Sequence, residues 1–216
     1  MNIETALKLA KPYVGSLAKD PGSRPVLKTA LVTEEYVIAT NTHILIRIKH
    51  DDLITEPYLH KYRDYKELEY DDVSRYPKGV HKLVPTPDSR YTSGTLDTKE
   101  MVEAIEGACV TSTQNTKALG LPNPQHVLME PAKMSVTPTV LNFETGSYTY
   151  IFSNKLPLEN TAFNPHYLKM AFKTFKAAGE KSINSHWVTP DRPWLLTSND
   201  IEVVVLPVRI LRGKLN

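Results

Sequence analysis

The chain has 216 residues, of which 41% are hydrophobic and 23% are charged, a balance typical of soluble globular proteins. This length allows one large domain or two small ones. A formal net charge of +2 excludes a strongly basic chain, so a nucleic-acid surface would need local clustering of lysine and arginine. The single cysteine, Cys109, excludes an internal disulfide, and no apolar run reaches the roughly 20 residues of a membrane span. We therefore expect a cytoplasmic protein without a membrane segment.

The first part of the chain is predicted to contain a helix and then strands. Apolar residues recur at helical spacing over 3–11. Three strands are predicted next, at 26–33, 36–40 and 43–48. A stretch rich in tyrosine and charge, 51–72, predicts an irregular or briefly helical connector, and 88–94 is typical of a linker.

The second part repeats the order of helix and strands. Asp97, with Glu100 three residues later, has the pattern of a helix start, and the apolar stripe predicts a helix ending near Val110, followed by a loop over 111–123. Asn164 and Pro165 predict the start of another helix, which Gly179 would close. The predicted strands are 126–130, 133–137, 139–144 and 147–153, with a hairpin turn at Gly146, and then 182–188, 193–197 and 202–208.

These patterns predict an α+β fold made of repeated units, each a helix with an antiparallel sheet. We divide the chain into a shortened unit over 1–93 and a complete unit over 94–216. The repeat is one of pattern alone, because no sequence identity between the copies is visible.

Four short motifs, in this order, resemble the bacterial sliding DNA clamp, the β subunit of DNA polymerase III. Residues 37–45, VIATNTHIL, are similar to the clamp turn ATDGHRL, and 75–77 with 83–85, RYP and LVP, are similar to its F-P and V-L-P segment. Residues 163–168, FNPHYL, match F-N-x-x-Y-L at the start of the last clamp helix. Residues 204–210, VVLPVRI, are similar to the clamp's terminal V-V-M-P-M-R-L.

The resemblance implies a DNA-clamp fold and a non-enzymatic processivity factor of DNA replication. Such a protein assembles as a homo-oligomer, encircles double-stranded DNA without reading sequence, and docks peptides of the replicative polymerase and clamp loader. Clamp subunits have three domains and this chain has room for two at most, so the resemblance is to a shortened, phage- or mobile-element-encoded version. The alternative is a clamp mimic or regulator that binds replication proteins without encircling DNA.

The resemblance also implies a hydrophobic peptide-binding cleft. In this family the last strand, the leucine of the first motif and the second motif form the docking pocket for short linear motifs. The positions carried over are Leu45, Pro77, Leu83, Val204, Leu206, Pro207 and Val208. The alternative is that all seven are ordinary core residues, as most strand valines and leucines are.

Lysines on two predicted helices are candidates for contact with DNA phosphates. They are Lys169, Lys173 and Lys176 on the helix from Pro165, with Lys8 and Lys11 on the first helix. The alternative is a solvated helix face. Glu100, Glu103 and Glu106 on the helix from Asp97 would repel DNA if that helix faced it.

Enzyme chemistry has little support in the sequence. The seven histidines are scattered, and neither a metal-binding HExxH, a phosphate-binding loop nor a nucleophile elbow occurs. We expect no catalytic residues, no metal and no cofactor. Cys109, near the end of a helical pattern, is expected to be a small buried hydrophobe.

Overall fold

The computed structural model of the protein describes residues 1–14, 25–62, 73–118, 126–136 and 147–208. The chain divides into two compact units. The first unit holds Met1–Thr86 and Leu195–Val204, and the second holds Pro87–Trp194 and Val205–Asn216. The two units are thus interleaved along the chain, because a segment near the carboxyl end belongs with the amino-terminal part.

The described helices and strands follow one another in the order expected of an α+β protein, which confirms the predicted class. In chain order they are α1 (Ile3–Ala10), β1 (Thr29–Val32), β2 (Tyr36–Thr40), β3 (Ile44–Lys49), β4 (Tyr58–Lys61), β5 (Thr92–Asp97), α2 (Thr98–Ala118), β6 (Val127–Met129), β7 (Lys133–Val136), β8 (Tyr148–Ile151), β9 (Thr161–Phe163), α3 (Pro165–Ala177), β10 (Ser182–Trp187), β11 (Trp194–Thr197) and β12 (Ile201–Val205).

In the first unit, helix α1 forms where its apolar spacing predicts it. The Asn2 side chain accepts a hydrogen bond from the Thr5 N–H at 2.9 Å and so caps the helix start. Ala6 and Ala10 are fully buried on the inner face. The helix ends in a short 3₁₀ turn, Lys11–Tyr13, because Pro12 cannot continue the hydrogen-bond pattern.

The strands of the first unit are hydrogen-bonded in the order β4-β1-β2-β3-β12-β11. Strands β1 to β4 pair antiparallel, for example Val37 with Ile48 and Leu31 with Leu59. The run of buried residues in β2 and β3 fits a sheet that is covered on both faces.

Three predictions for the first ninety-odd residues are corrected. The strand predicted over 26–33 begins only at Thr29, because residues Pro25–Lys28 form a 3₁₀ turn. This turn buries Val26 and Leu27, and the Thr29 hydroxyl donates a hydrogen bond to the Val26 carbonyl. The connector predicted over 51–72 contains strand β4, and the linker predicted over 88–94 runs into strand β5. Both strands are too polar to show an apolar pattern, and cross-strand pairing defines them instead.

Helix α2 is longer than predicted. Its start is confirmed, since the Asp97 carboxylate accepts a hydrogen bond from the Glu100 N–H at 2.7 Å. The helix does not end near Val110 but continues to Ala118. Ser112 and Asn115 continue its buried face, and the Thr116 hydroxyl donates to the Ser112 carbonyl. A search for apolar residues misses this part because its buried side chains are polar.

The second unit contains a sheet in the order β8-β7-β6-β9 and the antiparallel pair β5 and β10. Strand β9 was not predicted, and the predicted strand at 139–144 and turn at Gly146 lie outside the described residues. Helix α2 lies close to β8 at Gly107, where a Cβ atom would overlap the ring of Tyr148.

Strands β10 and β11 and helix α3 are confirmed close to their predicted bounds, whereas the last strand is shorter than predicted. Strand β12 ends at Val205 and not at 208. Leu206 and Pro207 lie outside the strand, and Val208 forms an isolated bridge with Ala162. Pro207 lacks the N–H that a continuing ladder would need.

Candidate functional site

The first unit contains an apolar cluster that joins two of the predicted cleft residues. Leu45 on β3 and Val204 on β12 are both buried within it. The cluster as a whole, called here the docking cluster, consists of Val26, Leu27, Leu31, Ile38, Leu45, Leu59, Tyr76, Val80, Val84, Leu195 and Val204. Motifs that lie far apart in the sequence therefore meet in one place in this unit.

The segment 73–84 lies over this cluster and carries the second motif. Two 3₁₀ turns, Val73–Arg75 and Val80–Leu83, are separated by Gly79, whose φ of 73° is readily adopted only by glycine. The Tyr76 ring is buried, its hydroxyl donates to the Ile38 carbonyl at 3.2 Å, and its pKa is raised by burial. These contacts hold the segment against the sheet.

The same segment presents Leu83 to solvent. Leu83 is 59% exposed although Val80 and Val84, on either side of it, are buried in the docking cluster. Pro77 is half-buried, and its carbonyl accepts a hydrogen bond from the Val80 N–H. Of the four predicted cleft residues in this unit, Leu45 and Val204 are thus buried, Pro77 is half-buried and Leu83 is exposed.

Arg47 ties the segment to the sheet. Its guanidinium forms an ion pair with Glu202 on β12, and its Nη1 donates to the His81 carbonyl at 3.2 Å. The same group lies 4.9 Å from the centre of the Tyr36 ring. The half-buried pair raises the pKa of Arg47, chiefly through the hydrogen bond with Glu202. No local sequence pattern indicates this role, because it depends on partners from three different segments.

The turn of the first motif is closed by side chains. The Asn41 side chain accepts hydrogen bonds from the N–H groups of His43 and Ile44, and the Thr40 hydroxyl donates to the Ile44 carbonyl at 2.8 Å. Thr42, at the tip, has a φ of 76°, a left-handed conformation that a β-branched residue rarely adopts. The clamp turn ATDGHRL, which this turn resembles, has glycine at the equivalent place.

Replacing Thr42 with glycine is expected to raise the free energy of unfolding by about 1 kcal/mol, because glycine adopts this φ without steric cost. Urea denaturation followed by circular dichroism measures the change. Thr42→Ala is the control, since it keeps a Cβ atom and should give little gain. An unchanged or lower stability for Thr42→Gly would contradict the strain assigned to this turn.

The remaining predicted cleft residues, Leu206, Pro207 and Val208, belong to the second unit. Leu206 is 38% exposed, and Pro207 and Val208 are half-buried. The Val208 N–H donates to the Ala162 carbonyl at 2.8 Å, which fixes the chain after β12 to β9. Their membership of a cleft stays a prediction.

Helix α3 carries its lysines on a side of the helix separate from its core residues. The Asn164 side chain caps its start by accepting from the His166 N–H at 2.9 Å. The predicted buried stripe is confirmed, since Leu168, Ala171, Phe172 and Phe175 are all fully buried. Lys173 and Lys176 are exposed, and Lys169 is half-buried.

Helix α2 runs antiparallel to α3 and places one carboxylate among these lysines. The Cys109 thiol near its middle donates to the Pro165 carbonyl at 3.2 Å. Closer to its start, Glu106 forms an ion pair with Lys173, with 2.8 Å between oxygen and nitrogen. The hydrogen bond with Lys173, its charge and the charges of Lys169 and Lys176 hold the pKa of Glu106 below its usual value.

The other two carboxylates of α2 lie on a different side. Glu100 accepts a hydrogen bond from the Ser153 N–H at 2.7 Å, and Glu103 lies 3.9 Å from Lys99 on its own helix. Burial is the main cause that raises the pKa of Tyr150 on β8, and the negative charges of Glu100 and Glu103 raise it further. Only one of the three carboxylates thus faces the α3 lysines.

On α1, Lys8 forms an ion pair with Glu4 at 2.7 Å, one helical turn away, and both side chains are well exposed. Lys11 is exposed at the end of the helix. A pair of this kind contributes little to stability because water and salt screen it.

Within the part of the chain that the structure describes, no three histidine, cysteine or acidic side chains come together as metal ligands. Cys109 is buried as predicted, and burial raises the pKa of its thiol to about 11. No described helix combines the length and apolar character needed to cross a membrane.

The antiparallel sheets, the paired helices α2 and α3 and the order of elements define an α+β protein with the fold of the bacterial DNA clamp. No family model and no curated protein matches the chain. Solved structures do match. They include the DNA polymerase III β chain of Streptococcus pneumoniae, with a TM-score of 0.69 and 16% identity over 96% of this chain and 62% of that one.

Two further structures give the same result. The β subunit of the Streptococcus pyogenes DNA polymerase matches with a TM-score of 0.67 and 16% identity, over 96% of this chain and 63% of that one. The Helicobacter pylori β clamp bound to a DNA ligase peptide matches with a TM-score of 0.64 and 14% identity, over 95% of this chain and 63% of that one. This chain therefore spans less than two thirds of the length of these clamps.

Proposed function

We propose that this protein is a sliding-clamp-like processivity factor that tethers partner proteins to duplex DNA. The observation that carries the proposal is the docking cluster, in which Leu45 and Val204 come together under a segment with an exposed leucine. An exposed leucine held on such an apolar core suits contact with a short peptide that carries a leucine or phenylalanine. The Helicobacter pylori clamp of the same fold is described with a DNA ligase peptide, which supports the same mode of binding here.

The proposed peptide site in the first unit is Leu83 and Pro77, supported from beneath by Leu45 and Val204. The resemblance adds Leu206, Pro207 and Val208 to this set as predictions. The partners would be peptides of the replicative polymerase and clamp loader. Micromolar affinity is enough for such partners to exchange.

The proposed DNA contacts are lysines that meet phosphates without reading bases. They are Lys169, Lys173 and Lys176 on α3, Lys8 on α1 and Lys11 in the 3₁₀ turn that follows α1. Encircling a duplex requires more than one copy of a chain of this size, so we infer a homo-oligomer. The proposed function needs neither a cofactor nor a catalytic residue.

Two assays test the proposal together. The first is capture of the protein by an immobilised peptide with the sequence of the DNA ligase clamp-binding segment. The second is retention on nicked circular DNA and release when that DNA is linearised, which reports topological linkage. We expect both to succeed. A strict monomer in light scattering that also fails to bind duplex DNA would contradict the clamp proposal.

A clamp mimic or regulator is the second candidate function, and one observation favours it. Glu106 partly neutralises the lysines of α3, which weakens a surface for DNA. A mimic would be captured by the peptide but would not be retained on circular DNA. The second assay therefore separates the two candidates.

A further inference from the structure

The Glu106–Lys173 pair joins the two helices at the surface proposed to contact DNA. Its oxygen-to-nitrogen distance is 2.8 Å, and both side chains are about half exposed, so solvent and a ligand can reach the pair. The charges of Lys169 and Lys176 also act on Glu106, as the lowered pKa of this carboxyl indicates. The carboxylate thus lies within one group of three lysines.

The Glu106 carboxylate accepts a hydrogen bond from Lys173 that a DNA phosphate oxygen could accept instead. Both are anions that accept hydrogen bonds from an ammonium group, and charge-assisted bonds of this type are the stronger ones. A duplex that approaches Lys173 must either displace Glu106 or bind beside it. In the first case an ion pair is lost, and in the second case like charges repel.

We propose that Glu106 is an internal competitor of the DNA backbone, which lowers the affinity of the α3 lysines for duplex DNA. The inference rests on the proposed function, because it assumes that α3 contacts DNA. It assigns to Glu106 a role in setting affinity and salt dependence. Weak, exchangeable phosphate contacts suit a protein that must move along the duplex.

The test is the affinity of the full chain for a short fluorescent duplex, measured by anisotropy over a range of salt concentrations. Glu106→Gln is expected to bind about five- to tenfold more tightly at low salt, because Lys173 then contributes a full phosphate contact. The slope of log affinity against log salt should steepen by about one. The gain should therefore shrink about threefold when the salt concentration is raised about fourfold.

Glu103→Gln is the matched control, because it removes the same charge from the same helix while Glu103 lies beside Lys99 and not among the α3 lysines. It should leave the affinity and the slope near those of the unchanged protein. Thermal unfolding of each variant checks that the fold is kept. Equal gains for the two variants would show an effect of net charge alone and would overturn the assignment to Glu106.

A Lys169→Gln/Lys176→Gln variant separates this inference from the proposed function. If the unchanged protein binds DNA, this variant binds less, and Glu106→Gln has no effect, the α3 surface is used but the competition is absent, so the inference fails alone. If neither the unchanged protein nor Glu106→Gln binds DNA, both the inference and the proposed DNA contacts fail.

Discussion

Replacing Trp194 with alanine is expected to lower the free energy of unfolding by about 3 to 5 kcal/mol, the usual cost of truncating a buried large aromatic residue. The Trp194 ring is fully buried in the second unit, between Phe163 and Phe172, with ring centres 5.4 and 5.9 Å away. Its indole N–H donates to the Ser185 hydroxyl at 2.8 Å. The substitution removes both the packing and this buried hydrogen bond.

Two variants separate these contributions. Trp194→Phe keeps an aromatic ring but leaves the buried Ser185 hydroxyl without its donor, and we expect a loss of about 1 to 3 kcal/mol. The double variant Trp194→Phe/Ser185→Ala should recover part of that loss. Urea denaturation measured by far-ultraviolet circular dichroism gives the values. A loss below about 1 kcal/mol for Trp194→Ala would contradict the packing described here.

Replacing Leu83 with glutamate is expected to lower the affinity for the DNA ligase peptide at least about tenfold, and about 30-fold if Leu83 is a binding hot spot. The side chain is 59% exposed, so a charge there costs the folded protein little, within about 0.5 kcal/mol. The charge would instead be placed against the apolar side chain of the bound peptide. Fluorescence anisotropy of a labelled peptide measures the affinity.

Leu53→Glu is the control for this experiment, because Leu53 is 99% exposed in the same unit and is not part of the docking cluster. It makes the same chemical change and should leave peptide affinity unchanged. Leu206→Glu tests the prediction for the end of the chain and should weaken binding as Leu83→Glu does if Leu206 belongs to the site. Equal affinity for Leu83→Glu and the unchanged protein would exclude Leu83 as a docking residue.

Much of the fold could be predicted because its strongest signals are local. The helix caps at Asp97 and Asn164 act within three residues, and the apolar stripe of α3 repeats along one helix. The same rules missed strands β4, β5 and β9. Such strands are defined by the partners beside them, and their own side chains carry little periodic signal.

The candidate site could be predicted only in part, because a sequence motif is also a local signal. Motif resemblance grouped Leu45 with Val204, and both lie in one buried apolar cluster, but it did not distinguish buried core residues from the exposed Leu83. It also did not indicate that Glu106 pairs with Lys173, because this pair depends on the tertiary contact between two helices. Arg47 was missed on the same physical grounds, since each of its partners comes from a different segment.

The close approach of α2 to β8 has a consequence for how this sequence can vary. Glycine at 107 leaves no room for a Cβ atom while the Tyr148 ring lies against the helix. A larger residue at 107 and an aromatic residue at 148 therefore exclude one another unless the ring turns away. Among relatives of this chain the two positions should change together, with a small residue at one accompanying a large residue at the other.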